Sequence, residues 1–236
     1  MPAPFVLFGR DHLIVLALAF AAPLALAAVT RRGERLQRFV RFGLAAMLIG
    51  NWIFWYLLFW RRGWLTWGDA LPLNLCDWTN AAVIWALLRK NQAAYALGYF
   101  WALAGTLQGL ITPDTPYDFP EIRFVIFSIF HAGIIAAVLY LTFGARMRPY
   151  ASGLPRVVLW SLVYAAAAGL ADWQLGVNYG FLRAKPAGAT IFDYLAPWPW
   201  YVAELPLLGI ASLLIWYAPW FVADRISGAQ SSRERP

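Results

Sequence analysis

Two side chains in this sequence belong to residue types that perform nucleophilic catalysis when they lie together. Cys76 is the chain's only cysteine, and His131 is one of its two histidines. A thiolate attacks an ester once a neighbouring imidazole has taken the thiol proton, so the pair is a candidate for acyl transfer through a thioester. The alternative for each residue is structural. A lone membrane cysteine is usually a packing residue, and a lone histidine often forms hydrogen bonds between helices.

Polar residues surround the cysteine in the stretch Leu71–Trp78, which reads LPLNLCDW. Amide and ionisable side chains are costly at membrane depth, so they usually line a cavity or a site. In a helix, Cys76, Asp77 and Asn80 share one face. These residue types allow Asn80 to donate a hydrogen bond to a developing oxyanion, and Asp77 or Asp172 to orient the histidine. A single cysteine excludes an internal disulfide and a cysteine-rich zinc site.

The elements that carry these residues are apolar runs of membrane-spanning length. The chain of 236 residues is 61% hydrophobic and 13% charged, and a soluble domain carries about twice that charge. Seven runs have close to the ~20 residues that a helix needs to cross a bilayer. They are His12–Thr30, Phe42–Trp60, Leu71–Leu88, Ala93–Ile111, Arg123–Phe143, Pro155–Gln174 and Tyr201–Val222. The sequence predicts an all-α protein: a seven-helix membrane bundle in one domain, residues 1–226, followed by a disordered cytoplasmic tail, residues 227–236.

The positive charges predict which way the chain crosses the membrane. Thirteen Lys and Arg residues fall on one side of the predicted spans and six on the other. Positive residues stay on the cytoplasmic side, so we expect the amino terminus outside and the carboxyl tail inside. The first run differs from a secretory signal, because Arg31, Arg32, Arg35 and Arg38 follow it rather than precede it. The net charge of +7 lies in short loops and does not indicate a nucleic-acid partner.

With that orientation, the polar residues gather in the outer halves of the predicted spans. This favours a polar cavity that opens toward the outer leaflet; the alternative is that these residues only bind helices to one another.

The loops Ile111–Phe124 and Val177–Tyr201 are long and rich in Pro, Gly and aromatic residues, which is typical of binding surfaces. We expect the second loop to cover the cavity and to meet a lipid headgroup through Asn178, Tyr179, Arg183 and Lys185. The candidate substrate-binding residues are Asn74, Asp77, Asn80, Gln108, Asp172, Asn178, Tyr179, Arg183 and Lys185.

Four longer motifs resemble those of the YwaF-like family of bacterial integral membrane proteins. They read LPLNLCDW, YFWALAGTLQGLITPD, FPEIRFVIFSIFHAG and GVNYGFLRAKPAGATIFDYLAPWPWY, and they match in order and spacing. That family is similar to a human transmembrane protein regarded as a cysteine-dependent acyltransferase of ether phospholipids. The resemblance implies Cys76 as nucleophile and His131 as its partner. It also implies a membrane phospholipid as acyl donor, a lyso-lipid as acceptor, and a multi-pass location in a bacterial inner membrane.

A transporter or lipid-binding membrane protein without catalysis is the alternative function, since it would also place polar residues around a site within the bilayer. Against it, the chain shows no internal repeat, and its polar residues lie off centre. A seven-span photoreceptor needs a lysine in the last span for a Schiff base, whereas the only lysines are Lys90 and Lys185. The sequence has no phosphate-binding loop, metal-spaced histidine cluster or serine elbow, so we expect neither a cofactor nor a metal. It indicates no oligomeric state.

Overall fold

The computed structural model describes residues 3–31, 33–186, 188 and 190–233, with side chains through residue 226. A π-helical turn, Ala102–Thr106, joins the fifth helix to the sixth. The described residues contain no strand, so the all-α prediction is confirmed for them. The helices are α1 Arg10–Thr30, α2 Glu34–Arg62, α3 Trp67–Ala70, α4 Leu75–Arg89, α5 Gln92–Trp101, α6 Leu107–Ile111, α7 Ile122–Phe143, α8 Leu154–Leu175 and α9 Trp200–Arg233.

Five helices of the described chain are long and apolar enough to cross a membrane, namely α1, α2, α7, α8 and α9. The other two predicted spans are built differently. The predicted span Leu71–Leu88 is represented by α4, which has 15 residues and is about 22 Å long. The span Ala93–Ile111 is one continuous helical run formed by α5, the π turn and α6, and the backbone stays in the right-handed helical region at both junctions. Seven crossings and their orientation therefore stay predictions.

The core of the bundle forms around α5, the π turn and α7. Phe100, Ala102, Ile134 and Val138 are fully buried there. Helix α7 packs against α1, α2 and α4, while α5 packs against α4, α8 and α9. Gly105 allows the π turn to approach α4, because a Cβ at this position would lie 2.7 Å from a methyl carbon of a leucine in α4. Small residues at such contacts let membrane helices pack closely.

Helix α4 begins later than its sequence predicts. The predicted span starts at Leu71, whereas the helix starts at Leu75 with Asn74 as its N-cap. Asparagine is a strong capping residue, and the Asp77 carboxylate accepts a hydrogen bond of 3.1 Å from the Asn74 backbone N–H. Cys76 therefore lies in the first turn of α4 and not well inside a longer helix.

The amino-terminal segment is held to the bundle by His12. The Nδ1 atom of His12 accepts a hydrogen bond of 3.0 Å from the Phe8 backbone N–H. Because Nδ1 accepts, Nε2 carries the ring proton and donates to the Leu110 carbonyl at 2.9 Å. This histidine is 1% exposed. Both of its ring nitrogens form hydrogen bonds that hold the amino-terminal segment against the bundle.

The end of the chain is described only in part. The backbone of α9 continues to Arg233, and residues 234–236 lie outside the described residues. The predicted disordered tail and the single domain of residues 1–226 stay predictions.

Candidate functional site

A large cavity opens between α2, α4, the π turn, α7, α8 and α9. Its volume is about 1670 Å³, whereas sites for drug-sized ligands occupy roughly 300–1,000 Å³. Apolar and aromatic side chains form most of the wall, so the cavity has the size and the lining that a lipid chain needs. The predicted site residues in the wall are Asn74, Cys76, Asp77, Gln108, His131, Asp172 and Arg183.

Cys76 lines the cavity at the amino-terminal end of α4. It is partly buried and lies in the first turn of α4, where the helix dipole stabilises a neighbouring negative charge. The hydroxyl of Thr106, in the π turn, lies beside the sulfur. That hydroxyl is buried and makes no hydrogen bond of normal geometry. The thiol therefore has a polar neighbour that is free to stabilise a thiolate.

The start of α4 lies deep in the bundle. The hydroxyl oxygen of Tyr164, in α8, lies beside the backbone N–H of Leu75. Tyr164 precedes the end of α8 at Leu175 by about eleven residues, or ~16 Å. The residues between α2 and α4 thus bring the start of α4 about three helical turns into the bundle, measured along α8. Half-helices whose N-termini meet inside a membrane commonly form binding sites for anionic groups.

His131 reaches the same cavity from α7. Its Nδ1 lies 3.0 Å from the Phe127 carbonyl one turn earlier, and a carbonyl can only accept, so Nδ1 of the neutral ring carries the proton. The Nε2 lone pair is then available to take a proton. Phe127 stacks on the imidazole with ring centroids 4.0 Å apart, and Phe130 packs edge-on at 5.3 Å. Helix α7 itself therefore fixes the ring and its tautomer.

The structure places Cys76 and His131 in the wall of one cavity. Among the hydrogen bonds of the described residues, none joins the sulfur to the imidazole, and the only one that His131 makes is to its own helix. Catalytic hydrogen bonds are often long in enzymes without substrate and shorten in the complex. The catalytic pairing stays a prediction.

The two carboxylates considered for orienting the histidine have other partners. Asp77 accepts the Asn74 N–H at the start of α4. The Oδ1 of Asp172 accepts the backbone N–H of Tyr179 at 2.6 Å. Neither acid holds the imidazole, which is oriented by a carbonyl of its own helix. These acids instead shape the wall of the cavity at the start of α4 and at the end of α8.

Asn80 lies one turn beyond Cys76 and outside the cavity wall. Its side chain is fully buried, and neither its amide nitrogen nor its amide oxygen has a hydrogen-bond partner. Because the structure does not bring Asn80 to the cavity, its position does not support the predicted oxyanion role. Within the described residues, no group of three His, Cys, Asp or Glu side chains could hold a metal ion.

The loop between α8 and α9 forms part of the cavity wall, and four of its residues were predicted to meet a headgroup. Arg183 lines the cavity, and the other three stabilise the loop. Asn178 accepts the Arg183 backbone N–H at 2.9 Å, the Tyr179 hydroxyl donates to a carbonyl of α3 at 2.6 Å, and Lys185 donates to a loop carbonyl at 2.7 Å. Burial raises the pKa of Tyr179, so its hydroxyl stays protonated and able to donate.

Tyr164 is a site residue that is missing from the sequence-based candidates. It lines the cavity, is 8% exposed, and has a buried hydroxyl without a hydrogen-bond partner of normal geometry. The sequence contains a signal for it, because Tyr164 is a single tyrosine followed by four alanines inside the predicted span Pro155–Gln174. A tyrosine hydroxyl in the interior normally finds a partner, so its position indicates a polar contact between helices or with a ligand.

Comparison with known proteins places this chain among membrane proteins. The family model described as the TMEM164 family matches residues 7–217, a range that contains Cys76, Tyr164 and His131. A Treponema pallidum (strain Nichols) protein described as uncharacterized is 28% identical over 195 residues, covering 77% of this chain and 76% of that protein. No solved structure matches. The finer YwaF-like label rests on the sequence motifs alone.

Proposed function

The chain belongs to the TMEM164 family of membrane proteins, and on that premise we propose that it is a cysteine-dependent acyltransferase of membrane phospholipids. One observation carries the proposal: the only cysteine lies in the first turn of a helix that begins inside a large, mostly apolar cavity. An acyl chain can fill such a cavity, and its ester carbonyl can then meet Cys76 in the wall. His131, in the same wall, supplies a basic nitrogen.

The proposed reaction has two steps, acylation of Cys76 and transfer of the acyl group to an acceptor lipid. The Cys76 thiol gives its proton to Nε2 of His131, and the sulfur attacks the ester carbonyl carbon of the donor phospholipid. The carbon–oxygen bond breaks, and the lyso-phospholipid leaves with the proton from the imidazolium, so that an acyl-Cys76 thioester remains. In the second step the hydroxyl of an acceptor lyso-lipid gives its proton to His131 and attacks the thioester carbon; the carbon–sulfur bond breaks, and the imidazolium returns the proton to the sulfur.

We propose seven crossings, with α4 and the α5–α6 segment as the third and fourth, an external amino terminus, and a bacterial inner membrane as the location. The thirteen-to-six division of Lys and Arg supports this orientation. The cavity lies where α2 and α8 end and α7 and α9 begin. In that orientation this end of the bundle faces outward, so a phospholipid of the outer leaflet would enter sideways.

Single cysteines introduced into a Cys76→Ala background test the orientation. Tyr194→Cys, at a loop position that is 91% exposed, is expected to react with a membrane-impermeant maleimide in intact cells. Arg35→Cys, at the start of α2, is expected to react only after lysis. Labelling of both positions from the same side would contradict the topology.

Acyl transfer between lipids tests the function. Purified protein in vesicles that contain a phospholipid with deuterated acyl chains and an unlabelled lysophospholipid is expected to move the label onto the lyso-lipid. Alkylation of Cys76 with iodoacetamide should stop the transfer. Label in free fatty acid alone would identify water as the acceptor. A donor lipid that moves between leaflets or stays bound with its mass unchanged would refute the enzyme and favour a transport or binding role.

A further inference from the structure

Tyr164 brings a buried hydroxyl to the start of α4 from the facing helix α8. The ring packs edge-on against Trp78 with centroids 5.6 Å apart. The backbone of Gly180 closes over the hydroxyl: a Cβ at Gly180 would collide with that oxygen, and the φ of +62° also favours glycine there. The loop between α8 and α9 thus holds the phenol in one position against α4.

The neighbours of this hydroxyl leave its proton free. The Leu75 backbone N–H lies beside the phenol oxygen, and Cys76, Asp77 and Asp172 lie close enough to act on the hydroxyl electrostatically. The hydroxyl itself has no hydrogen-bond partner among the described residues. Leaving a buried donor unpaired costs free energy, so a hydroxyl kept in this position indicates an acceptor that arrives with the substrate.

The other polar groups around the sulfur point to what that acceptor is. The Cys76 backbone N–H lies beside its own sulfur, and it belongs to the first turn of α4, whose N–H groups lack partners within the helix. A side-chain donor and a backbone donor therefore lie in the same cavity wall as the nucleophile. An oxyanion beside an attacked carbonyl carbon is stabilised by donors fixed in advance in this way.

We propose that Tyr164 is a catalytic residue whose O–H, together with the Cys76 N–H, stabilises the oxyanion of the acyl-transfer reaction; this rests on the function proposed above. As the sulfur–carbon bond forms, the carbonyl π electrons move onto the oxygen, which accepts both hydrogen bonds. When the carbon–oxygen bond to the lyso-phospholipid breaks, the electron pair returns and restores the carbonyl. Tyr164 keeps its proton throughout, and the imidazolium of His131 protonates the leaving group.

Two rates measured on Tyr164→Phe distinguish this role from a packing role. The first is the rate of acyl-Cys76 formation from phospholipid, followed by intact-protein mass spectrometry. The second is alkylation of Cys76 by iodoacetamide, which displaces iodide and forms no oxyanion. We expect acylation to fall by about 10²- to 10³-fold, the usual effect of removing one oxyanion donor, and alkylation to stay within about twofold of wild type.

Tyr95→Phe is the matched control, because it removes a buried hydroxyl that bonds Thr142 and lies outside the cavity; both of its rates should match wild type. Acylation and alkylation that fall together in Tyr164→Phe would overturn the inference and assign a packing role. Normal acylation in Tyr164→Phe would overturn it while the proposed function stands. If the wild-type protein forms no acyl-Cys76, the proposed function and this inference both fail.

Discussion

His131→Gln is expected to lower the rate of acyl-Cys76 formation by about 10²- to 10⁴-fold, the range for loss of a positioned general base. Glutamine can keep a hydrogen bond to the Phe127 carbonyl, but it has no basic nitrogen in place of Nε2. Rapid quenching followed by mass spectrometry of the intact protein measures this rate directly.

His12→Gln is the matched control, since the chain has two histidines. Both nitrogens of His12 are engaged, with the Phe8 N–H and the Leu110 carbonyl. We expect this variant to lose thermal stability and to keep the wild-type rate per folded molecule. An equal loss of rate in both variants would contradict a base role for His131 and assign its effect to folding.

Gly209→Phe is expected to change which acyl chains the protein accepts. Gly209 lines the cavity on α9, and a Cβ there meets no atom within 4 Å, so a larger side chain can enter without a clash. Exclusion of three methylenes at about 0.8 kcal/mol each removes ~2.4 kcal/mol of chain binding, roughly a fiftyfold loss in kcat/KM. We expect that loss for long chains and little change for short ones, measured by competition between donors of different chain length.

Gly43→Phe controls for the substitution itself. Gly43 lies on α2, its Cβ would also meet no atom within 4 Å, and it does not line the cavity. Chain-length preference should be unchanged in this variant. Uniform loss across all chain lengths in Gly209→Phe would show that the acyl chain lies elsewhere.

Most of the helices could be predicted from the apolar runs, because a span is set by local composition. Helices α7 and α8 begin and end within one residue of the predicted bounds. Helix α2 begins at Glu34, earlier than the predicted Phe42, since its arginine-rich first turns continue the helix beyond the apolar run. The start of α4 differs because Asn74 caps the helix, and a cap overrides the apolar pattern that reaches back to Leu71.

The candidate site could be predicted only as a set of residue types. Cys76 and His131 both lie in the wall of one cavity, but the apolar runs give no information on whether the two side chains meet. A carbonyl of its own helix orients His131. The side-chain rotamer that allows this hydrogen bond cannot be predicted from a sequence pattern. Tyr164 meets α4 because of how α8 packs, and such contacts between distant segments arise only in the folded bundle.

The mass of the purified protein after incubation with phospholipid tests the central claim most directly. We predict an increase equal to one acyl chain, located on the peptide that contains Cys76, sensitive to neutral hydroxylamine as a thioester is, and absent from Cys76→Ala. Lipid turnover should disappear in the same variant. Cys76→Ala with unchanged acyl turnover, or wild-type protein that turns over lipid while no acyl group forms on Cys76, would contradict the account.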